Sequence, residues 1–336
     1  MLKDLCALCG TSGYEDDIIT FIETILKRND ISYKTDRLGN IVVKQGKSPE
    51  NIALFAHMDE VGLVVRGITE DGMIKFAAIG GISAEILLSS QVIIGKNKIN
   101  GVIGNIPKHL IKKKSKKADK IEINDLFIDI GTTSKKEALK YVSIGDPIYF
   151  NSEYIEFGDG LVKAKALDDR ASIATILKLL LEKKYSFTAC FTTREEIGLI
   201  GAKIISQKLK INKALILEVT TCVDMPKTSC PSTVLGNGVA LSIIDNGSAS
   251  NLEFNDVIRQ IAGRHKVKLQ DKLTTKGGND AGAVSYYSGG TKTAVLSIPG
   301  RYIHTPHTVI SKSDYKAMEK LVTFILEYAD TRSGDE

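Results

Sequence analysis

The texture of this chain changes twice. Helix and strand patterns alternate up to about residue 65, short apolar runs broken by glycines and polar turns fill roughly 66–161, and the helix–strand rhythm resumes after 162. Alternating strands and helices build a layered α/β sheet. Closely spaced short strands build a barrel or a sandwich. The expected fold is therefore one α/β domain, residues 1–65 plus 162–336, interrupted by a β-rich insertion at 66–161.

The first part reads as a short helix at 2–10 and a second helix whose stripe is Ile18, Ile19, Phe21, Ile22 and Ile25. Ser12 and Glu15 stand at capping-box spacing before it. Strands are expected at 40–44 and 52–56. After the insertion, helices are expected at 170–184, 198–208, 251–264 and 313–329, with strands at 186–193, 213–219 and 293–298.

Composition removes several classes of function. A length of 336 residues suits about two domains. No apolar run reaches 18 residues, so no membrane span is expected. The first residues are too short an apolar run for a signal peptide. Five cysteines, an odd number, suit a reducing compartment and place the chain in the cytoplasm. A net charge of +5 is too mild to require nucleic acid. The segment 108–120 holds seven lysines but no aromatic residue, which favours a solvated loop over a nucleic-acid patch.

The candidate chemistry lies where strands end. His57 and Asp59 follow the strand IALFA, and Asp168 and Asp169 follow LVKA. Glu195 and Glu196 follow SFTACFTT, Glu218 ends KALILE, and His304 follows TAVLSI. The carboxyl edge of an open α/β sheet is where ligands bind. Imidazoles mixed with carboxylates suit Zn, Co or Mn. Neighbouring Glu195 and Glu196 point in different directions, so one can ligate while the other acts as general base. Two metals about 3.5–4 Å apart would need a bridging carboxylate, either Asp168 or Asp169. Asp59 stands two residues after His57 and can accept its free ring N–H, fixing the tautomer. Each motif alone has a plain structural reading: Glu-Glu as a solvated helix start, Asp-Asp as a helix cap. Their joint placement carries the site.

Several segments are distinctive together: AHMDEVGLVV (56–65), ALDDRASIATIL (166–177), TREEIGLIGA (193–202), LILEVT (215–220) and IPGRYIHTP (298–306). With LCGTSGYE near the start and DRLGN at 36–40, they resemble the M42 family of metallo-aminopeptidases over nearly the whole chain. The resemblance implies a phosphorylase/hydrolase-like mixed sheet with flanking helices, interrupted by a small barrel-like dimerisation domain. It implies two divalent ions and a large hollow homo-oligomer, commonly a dodecamer built from dimers. His57 and Glu218 would hold one ion, Glu196 and His304 the other, with Asp168 bridging, Glu195 as general base and Asp59 beside His57. Three positions depart from the family pattern. Glu218 stands where Asp is usual, Thr305 where Ser usually follows the histidine, and Asn279 where Thr usually precedes Asp280. Asp280 is a further candidate for facing the site.

The implied activity is removal of N-terminal residues from short peptides by metal-activated water, with no nucleic acid or membrane partner. A related deacylase or carboxypeptidase would share the metal chemistry. Glycoside hydrolysis would need two carboxylates facing across roughly 5–10 Å, and a non-enzymatic scaffold would not need these ligands. Cys6 and Cys9 share one helix face and read as buried packing residues. His109 and His265 read as surface residues, and His307 as a loop residue or substrate contact. Gly277–Gly278 and Gly236–Asn237–Gly238 read as turns.

Overall fold

The structure is a computed structural model and describes residues 1–47, 52–107, 121–228, 232–287 and 290–331. In chain order, β1 (Tyr33–Thr35), β2 (Ile41–Gln45) and β3 (Ile52–His57) come first. Next are β4 (Gly62–Ile68), β5 (Ile74–Ile79), β6 (Gln91–Ile94), β7 (Ile99–Gly104), β8 (Phe127–Asp129) and β9 (Pro147–Phe150). Then come β10 (Ile155–Phe157), β11 (Leu161–Ala164), β12 (Phe187–Thr192), β13 (Lys213–Thr221), β14 (Val239–Ser242), β15 (Leu269–Lys272), β16 (Lys292–Arg301) and β17 (Thr308–Ser311). The helices are α1 (Leu2–Ala7), α2 (Asp16–Arg28), α3 (Ala84–Leu87), α4 (Lys135–Ala138), α5 (Leu167–Glu182), α6 (Ile200–Lys208), α7 (Leu252–Arg264), α8 (Ala281–Val284) and α9 (Lys312–Thr331).

The large sheet runs β1-β2-β12-β3-β13-β16-β17-β11-β10, with β14 and β15 attached beside β16. Its centre, β12-β3-β13-β16, is parallel. Two antiparallel pairings, β16 with β17 and β17 with β11, return β11 to the same direction. Five strands therefore finish at one edge, and they are the five that precede the candidate ligands.

The apolar runs of these strands are buried on both faces, as parallel strands require. Leu54, Ala56, Ala189, Phe191, Leu215, Leu217 and Leu296 pack into one core with α1, α2, α5, α7 and α9. Ala53, Phe55, Cys190, Ile216 and Val295 pack into the other with α6 and α8. Alternation along each strand sorts side chains between the two layers.

Strands β4 to β9 close into a barrel with its own apolar core. The expected α/β sheet interrupted by a barrel-like unit is thus present. The barrel strands begin at Gly62 and end at Phe150, while β10 and β11 belong to the large sheet. The lysine-rich run 108–120 and His109 lie outside the described residues.

Two local expectations are corrected. The capping box at Ser12 and Glu15 does not form: Glu15 is the N-cap of α2 without a side-chain cap, and Ser12 is turned elsewhere. The first helix stops at Ala7, because residues 8–15 thread past the sheet edge and bond to it. Helix α5 begins at Leu167, but Asp168 and Asp169 have non-helical backbone and are joined by a cis peptide bond.

Asn40, the last residue of DRLGN, shows how the sheet positions the Glu-Glu turn. Its Oδ1 accepts from the Thr193 backbone N–H at 2.8 Å and from the Thr193 hydroxyl at 3.0 Å. Gly201 of α6 is pressed against this pair: a Cβ there would lie 2.3 Å from Asn40 Oδ1 and 2.4 Å from the Thr193 carbonyl oxygen. Gly→Ala in a helix ordinarily stabilises by about 0.5–1 kcal/mol. Gly201→Ala is expected to do the reverse and lower the melting temperature; an unchanged or higher Tm by calorimetry would refute this packing constraint.

Candidate metal centre

Each candidate ligand sits where its strand leaves the sheet. His57 is the last residue of β3, and Glu218 lies near the end of β13. Glu195 and Glu196 open the turn between β12 and α6, Asp168 follows β11, and His304 lies in the loop between β16 and β17. Ala166, Arg194, Tyr302 and His304 all adopt left-handed backbone, with φ of 53°, 57°, 58° and 58°. Such conformations cost about 1–3 kcal/mol each and concentrate at functional sites.

The side chains form two clusters that share one residue. His57 Nε2 is 3.4 Å from Asp168 Oδ1 and 3.6 Å from Glu218 Oε2. His304 Nε2 is 3.7 Å from Asp168 Oδ2 and 3.2 Å from Glu196 Oε1. Asp168 thus gives one oxygen to each cluster, and each is a histidine–carboxylate triad able to hold a metal. Ligand atoms about 2.0–2.1 Å from a tetrahedral ion stand roughly 3.3 Å apart, close to these separations. His57, Glu195 and Glu196 form a third overlapping group.

The electrostatics also call for cations. Burial pushes Glu218 and Asp169 well above the usual carboxylate range, and neighbouring carboxylates add to it. Glu195 is raised well above its ordinary value, and Glu196 to about 7, again chiefly by burial. Burial alone would lower His57, yet Asp168, Asp59, Glu218 and Glu195 around it hold it well above its ordinary value. Asp168 Oδ1 and Glu218 Oε1 are buried without a hydrogen-bond partner. Carboxylates buried together like this are stabilised either by taking up protons or by cations placed among them. The donor set, two imidazole nitrogens with carboxylate oxygens, fits divalent ions of the Zn, Co or Mn type.

The surrounding bonds orient these ligands. His57 Nδ1 lies 3.1 Å from the backbone carbonyl of Asp59 and 3.5 Å from its Oδ1, so the carbonyl is the nearer partner. The Asp59 carboxylate has a different task. It accepts the backbone N–H of Glu195 at 2.9 Å, that of Glu196 at 3.1 Å, and the Ser12 hydroxyl at 2.5 Å. Burial would raise Asp59, but His57, Ser12 and these N–H groups bring it below its usual value. Glu15 Oε1 likewise accepts the Arg194 backbone N–H at 3.1 Å. His304 Nδ1 lies 3.1 Å from the Gly81 carbonyl, in the segment after β5 of the barrel.

Ser12, Glu15 and Gly81 are participants the sequence did not disclose. The SGYE run was legible only as a helix cap. Asp280 is fully buried and accepts the Thr192 hydroxyl at 2.6 Å, but belongs to none of the ligand clusters. His307 lies 3.4 Å from the Ser152 hydroxyl, and His265 is exposed and stacks on Phe324. Cys6 and Cys9 are buried and free.

A model of the M42 glutamyl aminopeptidase family matches residues 39–321. The chain belongs to this family. It is 33% identical to a putative aminopeptidase of Acetivibrio thermocellus over 96% of both chains. It is 28% identical to the lysyl aminopeptidase of Pyrococcus furiosus over 97% of this chain and 96% of that protein. Among solved structures, Pyrococcus horikoshii TET1 peptidase, described as assembling into a tetrahedron or a large octahedral shell, superposes with a TM-score of 0.87 at 30% identity, covering 97% of this chain and 98% of that one. As an M42 peptidase, the protein is a peptide hydrolase with histidine and acidic groups grouped for metal binding.

Hydrogen bonds to a charged group contribute about 1.5–3 kcal/mol. Ser12→Ala is therefore expected to lower kcat several-fold through a loosened Glu195–Glu196 turn, with KM within about two-fold and metal content unchanged. Steady-state kinetics beside elemental analysis check this; wild-type kcat would remove the positioning role of Ser12.

Proposed function

We propose that this protein is a dinuclear metal-dependent aminopeptidase that removes N-terminal residues from short peptides. One observation carries the reading: Asp168 offers one carboxylate oxygen to the His57–Glu218 pair and the other to the Glu196–His304 pair. His57 and Glu218 would hold one ion and Glu196 and His304 the other, with Asp168 between them. When bound, such ions supply Lewis acidity, lowering the pKa of water and polarising a peptide carbonyl.

Of the carboxylates in the three metal-capable groups, Glu195 is the one that belongs to neither of the two triads sharing Asp168. It takes the proton of the attacking water and delivers it to the departing amine. Asp59 keeps Glu195 and Glu196 aimed through their backbone N–H groups. Glu218 retains the carboxylate that an Asp would supply and reaches His57 despite its extra methylene. Pairing of the carboxylates with His57 and His304, rather than across an open gap, argues against a glycosidase.

Self-association through the barrel, ending in a dodecamer built from dimers, belongs to the same proposal, as does a cytoplasmic location for a chain whose described cysteines are all free. Among the described residues no helix is long and apolar enough to cross a membrane.

Hydrolysis is expected to require a free α-amine and to be abolished by chelators. Equal cleavage of acetylated and free peptides would favour a deacylase or carboxypeptidase instead.

The neighbouring glutamates are expected to separate. Glu195→Gln should keep its metal and lose about 10²–10⁴-fold in kcat, since an amide fills the same volume but accepts no proton. Glu196→Ala should lose metal as well as turnover. A metal-free Glu195→Gln, or one within a few fold of wild type, would show that the roles are wrongly assigned.

A further inference from the structure

A carboxylate buried without a cation is costly, and Asp280 is 1% exposed. Its Oδ2 accepts the Thr192 hydroxyl at 2.6 Å, while Oδ1 is buried with no hydrogen-bond partner among the described residues. Burial raises Asp280 to about 6; the Thr192 hydroxyl and His57 draw it back down, and Asp59 pushes it up. The carbonyl oxygen of an asparagine amide could take the same hydroxyl proton. The hydrogen bond alone therefore does not account for an acid at 280.

Thr192 shows where the acid acts. It ends β12 and stands in register with His57 at the end of β3. Its carbonyl oxygen accepts the Met58 N–H at 2.6 Å, and its hydroxyl also lies 3.4 Å from the Ala56 carbonyl oxygen. Thr192 thus meets the backbone on both sides of His57. Along its own chain it leads through Thr193 and Arg194 to Glu195 and Glu196. Asp280 is itself anchored. Its neighbour Asn279 donates to Asp245 Oδ2 at 2.6 Å and accepts the Ala281 N–H at 2.9 Å. Ala281, Ala283 and Val284 of α8 are packed into the second apolar core. A fixed carboxylate therefore grips the junction from which both His57 and the Glu-Glu turn depart.

We propose that Asp280 is a positioning residue of the metal centre: it fixes His57 through Thr192, and its buried negative charge helps retain cations that it does not touch. The inference rests on the dinuclear reading and goes further, to a residue outside the ligand set. Charge in a region of low dielectric acts beyond contact distance. An acid at 280 costs burial in the empty site and repays part of it when cations are present.

The test titrates the purified metal-loaded enzyme with a chelator and reads the metal retained by elemental analysis. Outer partners of metal ligands typically contribute about 10–100-fold in metal affinity or activity. Asp280→Asn keeps the volume and an acceptor for Thr192 but removes the charge. It is expected to lose half its metal at a chelator concentration about ten-fold or more below that of wild type. Its kcat should fall with KM within about two-fold. Thr192→Val keeps the shape, removes the hydroxyl, and is expected to shift the chelator midpoint the same way. Thr192→Ser restores the hydroxyl and is expected to bring the midpoint back towards wild type. A wild-type midpoint for Asp280→Asn overturns the role of the charge, and one for Thr192→Val overturns the route through Thr192. A purely structural role would lower Tm equally with and without metal and leave every midpoint unchanged; that result overturns the proposal as a whole. Should Asp280→Asn fail to fold, equal midpoints for Thr192→Val and Thr192→Ser overturn it. A wild-type enzyme that holds no metal overturns the dinuclear reading itself, which keeps the two failures apart.

Discussion

Asp168 stands between His57 and His304 and faces both with different oxygens. Around it, Asp169, Glu195, Glu196 and Glu218 are crowded into a region where water does little to separate their charges. Such a group is unstable by itself, because burial and mutual repulsion both disfavour the ionised forms. It becomes tolerable when cations share the space. Much of the α/β sheet and the segment before it can be understood as what holds those groups together.

That holding is done mostly by backbone and by residues that never touch a ligand position. The Asp59 carboxylate collects two successive backbone N–H groups and the Ser12 hydroxyl. Asn40 fixes Thr193, and Glu15 fixes Arg194, on the approach to the Glu-Glu turn. Gly10 completes the support by leaving room for Arg170: a Cβ there would lie 2.4 Å from a guanidinium nitrogen. The N-terminal segment thus acts as a strap over the sheet edge. The barrel also takes part, since the Gly81 carbonyl orients the ring of His304. The insertion therefore shapes one half of the proposed site, whatever it does in assembly.

The buried group of Lys165, Arg170 and Glu60 belongs to the same logic. A buried ion pair adds little net stability against apolar residues of similar volume. Here it ties the end of β11 and the start of α5 to the turn after β3, since Lys165 and Arg170 both reach Glu60.

The sequence by itself determined the layer architecture and the identity of the candidate ligands. Apolar runs and helical stripes are local patterns, and they placed β3, β12, β13 and β16 within one to three residues of where they lie. Because each chemical residue follows a strand, a shared strand direction was enough to predict a shared edge. The tertiary structure decided what adjacency along the chain cannot encode. Which oxygen of Asp168 faces which histidine depends on the kinked start of α5. That Ser12 serves Asp59 rather than capping α2 depends on a contact spanning 47 residues. That a lysine and a glutamate 105 residues apart pair beside the site depends on how the β11 end meets the turn after β3. Periodicity reports which face a residue occupies; only packing reports which distant partner waits there.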